Sequence, residues 1–253
     1  PFLLQPFFPS ADYFFSFNSP SWSLGCEQLF YFCFPLIVPF LHTKRSLFIT
    51  LLICLPIMLA GMYLTNEEQI KAYWYVNPFT RLPDFFVGVL LYQFYRSLCN
   101  KKLSYSTGTL LEAGAVALFL LFFLCAADIP KVYRYSCYYW LPVSLIILIF
   151  ALQQGGISRL LSNRFLIIGG EISYSFYLIH LFIIDAYMRM SAHYHWQIQW
   201  TISVPVILCI TIILSLLSFY YFEKPANKWV KRIFTKKTII NQPHGIINKN
   251  TTN

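Results

Sequence analysis

"SPSWSLGCEQLFYFCFPLIVPFL", Ser19 to Leu41, holds one carboxylate, Glu27, in a run that is otherwise almost entirely apolar and aromatic. A helix of about 20 such residues matches the hydrocarbon thickness of a bilayer. The whole chain shares this character: of 253 residues, 57% are hydrophobic, 19% aromatic and only 11% charged, against roughly 25% charged in an ordinary soluble domain. The sequence therefore predicts an all-α fold, a polytopic transmembrane helical bundle of about seven spans. The spans are placed at 22–41, 46–64, 82–98, 109–127, 138–152, 171–190 and 198–222. Short polar connections join them, with no Gly/Ser or Pro linker and no internal repeat. The domain reading is a transmembrane domain over 1–225 followed by a basic tail over 226–253.

The net charge of +9 invites a nucleic-acid reading, but the position of the charge argues for a membrane instead. If every span crosses, one side of the bilayer carries Lys44, Arg45, Arg96, Lys101, Lys102, Arg159, Arg164 and the seven basic residues from Lys224 to Lys249. The other carries Lys71, Arg81, Lys131 and Arg134, with Arg189 near a helix end. Basic connections mark the cytoplasmic side, so the C-terminus is expected in the cytoplasm. Seven crossings then put the start of the chain outside. Because the chain begins with Pro1, and 1–21 lacks the basic-then-apolar layout of a signal peptide, the expectation is a fragment preceded by further spans, odd in number if the true N-terminus is cytoplasmic, with a processed mature chain as the alternative. The seven cysteines show neither CxxC nor zinc-type spacing and read as small packing residues.

Ionisable groups inside spans are the candidates for function, because each costs insertion energy. Glu27 lies about two turns inside its helix, with Tyr31 and Phe34 on the same face at +4 and +7. It reads either as a structural carboxyl bonded to a neighbouring helix or as part of a cavity wall. In "RLPDFFVGVLLYQFYR", 81–96, Arg81 and Asp84 are spaced to pair at a helix mouth, and Gly88 permits close helix approach. In "GGEISYSFYLIHLFIIDAY", 169–187, Ser173, Tyr177 and His180 recur at i, i+4 and i+7 and make one helix face polar. Ser173 and His180 are about 10 Å apart along a straight helix, too far for a nucleophilic dyad. Tyr177 and His180 can interact, and a structural Tyr/His network is the alternative. The other histidines are less promising: His42 and His244 stand in basic surroundings, and His193 and His195 in a short outer connection.

Taken in order, these stretches resemble the acyltransferase 3 family of bacterial integral-membrane O-acyltransferases. Trp22, Ser23, Leu24, Glu27, Phe30, Tyr31, Phe34 and Pro35 are similar to its Trp-Ser-Leu-x-x-Glu-x-x-Phe-Tyr element with the following Phe-Pro. Arg81, Pro83, Asp84, Phe85 and Gly88 resemble a second element. Gly170, Ile172, Ser173, Tyr174, Ser175, Tyr177, Leu178 and His180 resemble a third, and Glu223 with Pro225 a closing Glu-x-Pro. The resemblance covers about 20–225. The family's first-span Arg and His, its Gly-Val-Asp-x-Phe-Phe element and its Arg-rich segment are not in this sequence, which agrees with about three absent N-terminal spans.

The resemblance implies a multi-pass protein of the bacterial inner membrane. It implies transfer of an acyl group, usually acetyl, from acyl-CoA (acetyl-CoA) to a hydroxyl of a cell-surface glycan such as lipopolysaccharide O-antigen, capsule or exopolysaccharide. Acyl-CoA enters as donor substrate, with no resident cofactor or metal and no nucleic-acid partner. The implied partners are the glycan acceptor, the lipid bilayer and the missing N-terminal spans, which hold the probable base. Glu27, Tyr177 and His180 are then supporting residues, and Trp22, Tyr31, Arg81, Asp84, Ser173 and Tyr174 substrate-binding candidates. A proton-coupled or solute transporter would also use intramembrane carboxylates and histidines, and a non-catalytic membrane scaffold is the third alternative.

Overall fold

A computed structural model describes residues 3–16, 18–39, 43–195 and 199–240. The ends of the expected spans at 40–41 and 198, and the tail from 241 with His244 and Lys249, lie outside the described residues, as does His42. Among the described residues there is no strand, and each of the seven apolar stretches forms a helix. We number the longer helices α1 (Trp22–Ile37), α2 (Lys44–Tyr63), α3 (Pro78–Leu98), α4 (Tyr105–Cys125), α5 (Trp140–Leu152), α6 (Gly156–Leu161), α7 (Arg164–Tyr194), α8 (Trp200–Ser218) and α9 (Lys224–Ile240). Polar side chains set several of the starts. Thr43, Asn77 and Ser104 each accept a backbone N–H of the first turn of α2, α3 and α4, satisfying donors that have no partner within the helix.

Among the described residues, four helical runs are long and apolar enough to cross a membrane: Lys44–Tyr63, Tyr105–Asp128, Arg164–Tyr194 and Trp200–Phe234. α1 and α5, with 16 and 13 residues, are shorter than the roughly 20 needed for a full crossing. The seven-span expectation thus stands as a helical membrane bundle whose count of full crossings is approximate. Burial supports a lipid solvent. Many large apolar residues of the helices face outward, while Glu112, Ser158, Ser175, Ser203, Thr211 and Ser215 are buried. Each buried side-chain polar atom among the described residues has a hydrogen-bond partner, as a low-dielectric interior requires.

The chain divides into two compact units, Pro1–Ile168 and Gly169–Asn253. In the first, α4 packs on α5, α3 on both α2 and α5, and α1 on α3. One end of this unit is an aromatic cap in which Met58, Met62, Ile70, Trp74 and Val132 form a buried cluster. It brings together the 65–77 and 126–139 connections. At the other end Lys44 donates to Ser97, Gln154 donates to the Lys101 carbonyl at 2.8 Å, and the Arg159 guanidinium lies 4.7 Å over the Tyr105 ring. The basic connections of this unit therefore share one end, as the charge alternation requires. In the second unit, α7 is tied to α8 by Tyr187–Ser203 at 2.5 Å and to the turn that follows α8 by Ser175 donating to Glu223. Glu223 closes a π-helical turn, Phe219–Glu223, that joins α8 to α9.

The cysteines pack less uniformly than expected. Cys26 is buried, but Cys99, Cys125 and Cys209 are exposed, consistent with outward-facing positions on apolar helices.

Candidate functional site

Pro78 at the first position of α3 and the Asn77 cap aim the first turn of that helix at the aromatic cap, which brings Arg81 and Asp84 to its mouth. The Arg81 Nη1 to Asp84 Oδ2 distance is 3.0 Å, and the pair is largely shielded, at 16% and 30% side-chain exposure. This is more than a helix-end ion pair. Trp140 of α5 donates its indole N–H to the other carboxylate oxygen of Asp84 at 2.5 Å, and Arg81 Nε donates to the Tyr75 carbonyl at 2.9 Å. The guanidinium also lies 5.4 Å from the Tyr75 ring centre and 6.0 Å from that of Trp22. Trp22 and Tyr75 contact each other at 4.8 Å, and Tyr75 and Tyr135 at 5.2 Å. Both charges are thus oriented by several partners at once, which fixes them better than a lone exposed pair.

Asp84 stands where three cavities meet. A pocket of about 340 Å³ is lined by Trp22, Ser23, Cys26, Glu27, Phe30, Arg81 and Asp84. A groove of about 660 Å³ is lined by Phe30, Tyr31, Phe34, Phe85, Gly88, Val89 and Tyr92 with Asp84 at its polar edge. A third space, about 280 Å³, reaches from Arg81 and Asp84 to Ser136, Trp140 and Ser144. The first gathers three charged side chains, Glu27, Arg81 and Asp84, in a largely apolar wall that includes the Trp22 and Phe30 rings. The second is apolar, with Phe85 stacked on Phe30 at 5.3 Å and edge-on to Phe34 at 5.7 Å.

Trp22, Glu27, Arg81 and Asp84 therefore share one pocket, and Tyr31 lies in the adjoining groove. Glu27 itself is exposed on the pocket wall, so the expected cavity-wall position is seen while a buried interior carboxyl is not. Gly88 is corrected. A Cβ there would meet nothing within 4 Å, so this glycine opens the groove and does not serve close helix packing.

The remaining candidates belong to the second unit, on α7. Ser173 is exposed and donates to the Gly170 carbonyl at 2.7 Å, so its hydroxyl is committed to the helix backbone. The buried serine is Ser175, which turns with Ile172 away from the Ser173 side. His180 Nδ1 lies 2.7 Å from the Tyr177 carbonyl oxygen and 3.2 Å from that of Phe176. A carbonyl can only accept, so the proton is assigned to Nδ1 and the lone pair to Nε2. The Tyr177 and His180 rings are 6.0 Å apart and tilted, and Tyr174 is exposed. Asp185 is paired with Arg189 at 2.8 Å on an exposed face.

Sequence reasoning passed over two residues. Trp140 carried no polar signature beyond its indole. Glu112, inside the 109–127 span, accepts three backbone N–H groups: Gly155 at 2.9 Å, Ile157 at 2.8 Å and Ser158 at 3.1 Å. An ionisable residue inside an apolar span demands a partner, and Glu112, near one end of its span, finds it in the connection that follows Gln153 and Gln154. Among the described residues no group of three or more His, Cys, Asp or Glu side chains could hold a metal.

Fold and site define a helical membrane protein with an aromatic-walled pocket that holds three charged side chains at one helix mouth. A family model described as an acyltransferase domain matches residues 1–220, and the chain belongs to this acyltransferase 3 family. It is 28% identical to the O-acetyltransferase OatA of Staphylococcus aureus over 221 residues, covering 82% of this chain and 36% of the relative. It is 24% identical to the acyltransferase MdmB of Streptomyces mycarofaciens over 215 residues, 79% of this chain and 54% of the relative. With the putative peptidoglycan O-acetyltransferase YrhL of Bacillus subtilis it shares 26% identity over 255 residues, 93% of this chain and 39% of the relative. The chain thus spans between about a third and about half of the length of these curated relatives. No solved structure matches it significantly.

Proposed function

We propose that this chain is part of a membrane O-acyltransferase that moves an acyl group, acetyl in the simplest case, from acyl-CoA to a hydroxyl of a cell-surface glycan. O-antigen, capsule and exopolysaccharide are candidate acceptors, and the name of the Bacillus relative adds peptidoglycan. The observation that carries the reading is the pocket lined by Glu27, Arg81 and Asp84 together with Trp22 and Phe30, with the Arg81 guanidinium against the Tyr75 ring. Carboxylates accept hydrogen bonds from sugar hydroxyls, a guanidinium donates them, and aromatic faces cover the apolar faces of a sugar ring. In the reaction the acceptor oxygen attacks the thioester carbonyl, the C–O bond forms, the C–S bond breaks, and the proton of the hydroxyl passes to a base while the thiolate leaves to be protonated.

The base and the acyl-CoA site are assigned to about three further N-terminal spans, with Glu27, Tyr177 and His180 in support. Full-sized relatives leave room for such spans, and a protonated Nδ1 on His180 leaves Nε2 able to accept a hydrogen bond. A hydroxyl is a poor nucleophile at neutral pH, so loss of a poised base lowers the rate on the order of 10² to 10⁴. Residues 1–253, reconstituted in lipid with radiolabelled acetyl-CoA and a glycan acceptor, are expected to show no turnover. Co-expression with upstream spans of the same gene should restore it. Robust transfer by the chain alone would sink this assignment and make His180 the base, whereas solute uptake without transfer in the complete protein would favour a transporter.

A further inference from the structure

Over residues 224–233, the helix that closes the described chain is divided by side. At 100° per residue, Trp229, Val230 and Ile233 of α9 fall within an arc of about 100°, and Lys224, Lys228, Lys231 and Arg232 within about 100° on the opposite side. The three apolar residues are 66%, 42% and 40% exposed. A run of apolar side chains open to water opposes folding in solution, so this face requires an apolar surface. The sequence of α9 contains six Lys and Arg and no Asp or Glu, so its partner must also tolerate dense positive charge.

The position of α9 names that partner. α8 has 19 residues, about 28 Å at 1.5 Å each, close to the roughly 30 Å of a hydrocarbon core. α9 therefore begins where α8 leaves the bilayer. Between them stand the π-helical turn Phe219–Glu223 and, at the second residue of α9, Pro225. The helical run continues from Trp200 to Phe234, and a π turn and a proline inside such a run are the places where it can bend. The Lys224 ammonium lies 5.2 Å over the Tyr220 ring and 5.9 Å from that of Phe219, an aromatic and cationic collar of the kind found at a membrane interface.

We propose that α9 is an interfacial helix that lies on the leaflet at the end of α8, its Trp229/Ile233 face entering the headgroup region and its Lys228/Lys231 face binding anionic phospholipid. A segregated basic, aromatic helix is built for this arrangement. The inference is independent of the acyl-transfer reading, because it concerns the second unit alone and is read out by position in lipid.

The test places single cysteines at 228, 230, 232 and 233 of the full chain, with the native cysteines replaced, and attaches a nitroxide to each. The protein is reconstituted in vesicles of phosphatidylcholine alone or with about one-third phosphatidylglycerol. With anionic lipid, positions 230 and 233 should be accessible to oxygen and shielded from an aqueous nickel chelate, and 228 and 232 the reverse. Each basic residue neutralised among Lys228, Lys231 and Arg232 should weaken the partition of the helix roughly fivefold. High salt should have the same direction of effect. Equal water exposure of all four positions in both lipids would overturn the proposal. So would protection of 230 and 233 that ignores lipid charge and yields cross-links to another protein or a second copy, which would assign the face to a protein partner.

Discussion

Asp84 accepts from Arg81 on one oxygen and from Trp140 on the other, so its carboxylate is aimed from two helices. A neutral donor to a charged acceptor contributes more than a neutral pair, about 1.5–3 kcal/mol when well shielded. With the carboxylate 30% exposed, the lower end applies. On the proposed acyl-transfer reading, Trp140→Phe, which keeps the ring and removes the N–H, should raise the acceptor KM of the complete protein about tenfold, with abundance unchanged. Arg81→Lys should be worse, because an ammonium cannot reach the Tyr75 carbonyl, Asp84 and the aromatic rings together. The measurement is transfer kinetics in membranes at fixed donor. An unchanged KM in both variants would return the cluster to a structural tie between α3 and α5. The Arg81/Asp84 pair was legible from its i, i+3 spacing. Its indole partner, 56 residues along the chain, had no local signal.

At the scale of elements, the connection between α5 and α6 is held by a carboxylate from a third helix. Glu112 is 1% exposed and occupies the start of α6, where backbone N–H groups have no helical partner. A side chain at Gly155 would place its Cβ 2.3 Å from that carboxylate, so glycine is required there by contact and not by an unusual φ. Gln154 adds bonds to Leu103 N and Lys101 O at 2.7 and 2.8 Å. Glu112→Ala leaves several shielded donors unsatisfied and should cost on the order of 3 kcal/mol. Gly155→Ala should act in the same direction through the clash. Both should lower the thermal midpoint in detergent and speed trypsin cleavage at exposed Arg159. If cleavage and midpoint match the parent protein, Glu112 does not hold this connection. Helix boundaries near caps such as Ser104 were readable, but a tertiary cap has no spacing rule.

At the scale of the molecule, the basic connections that meet at one end of the first unit give the topology a concrete prediction. By the positive-inside rule Lys44/Arg45, Lys101/Lys102, Arg159/Arg164 and 224–237 should face the cytoplasm, and 65–81, 128–137 and 191–197 the outside. Cysteines introduced at 102 and 193, in a background lacking the native ones, should react with an impermeant maleimide from opposite sides. Labelling of both from one side would refute the seven-span arrangement.

The helical membrane class, the places of the helices and the paired Arg81 and Asp84 were determined by the sequence alone, because apolar run length and i, i+3 spacing are local properties that lipid or a helix reads directly. The exposure of Glu27 and Tyr31 on neighbouring cavities, the open space at Gly88, the exchange of Ser175 for Ser173 as the buried serine, and the Trp140 and Glu112 contacts were decided only by tertiary structure. Each depends on which helices become neighbours. In lipid that choice is made by close packing and by the pairing of polar groups, neither of which leaves a period in the chain.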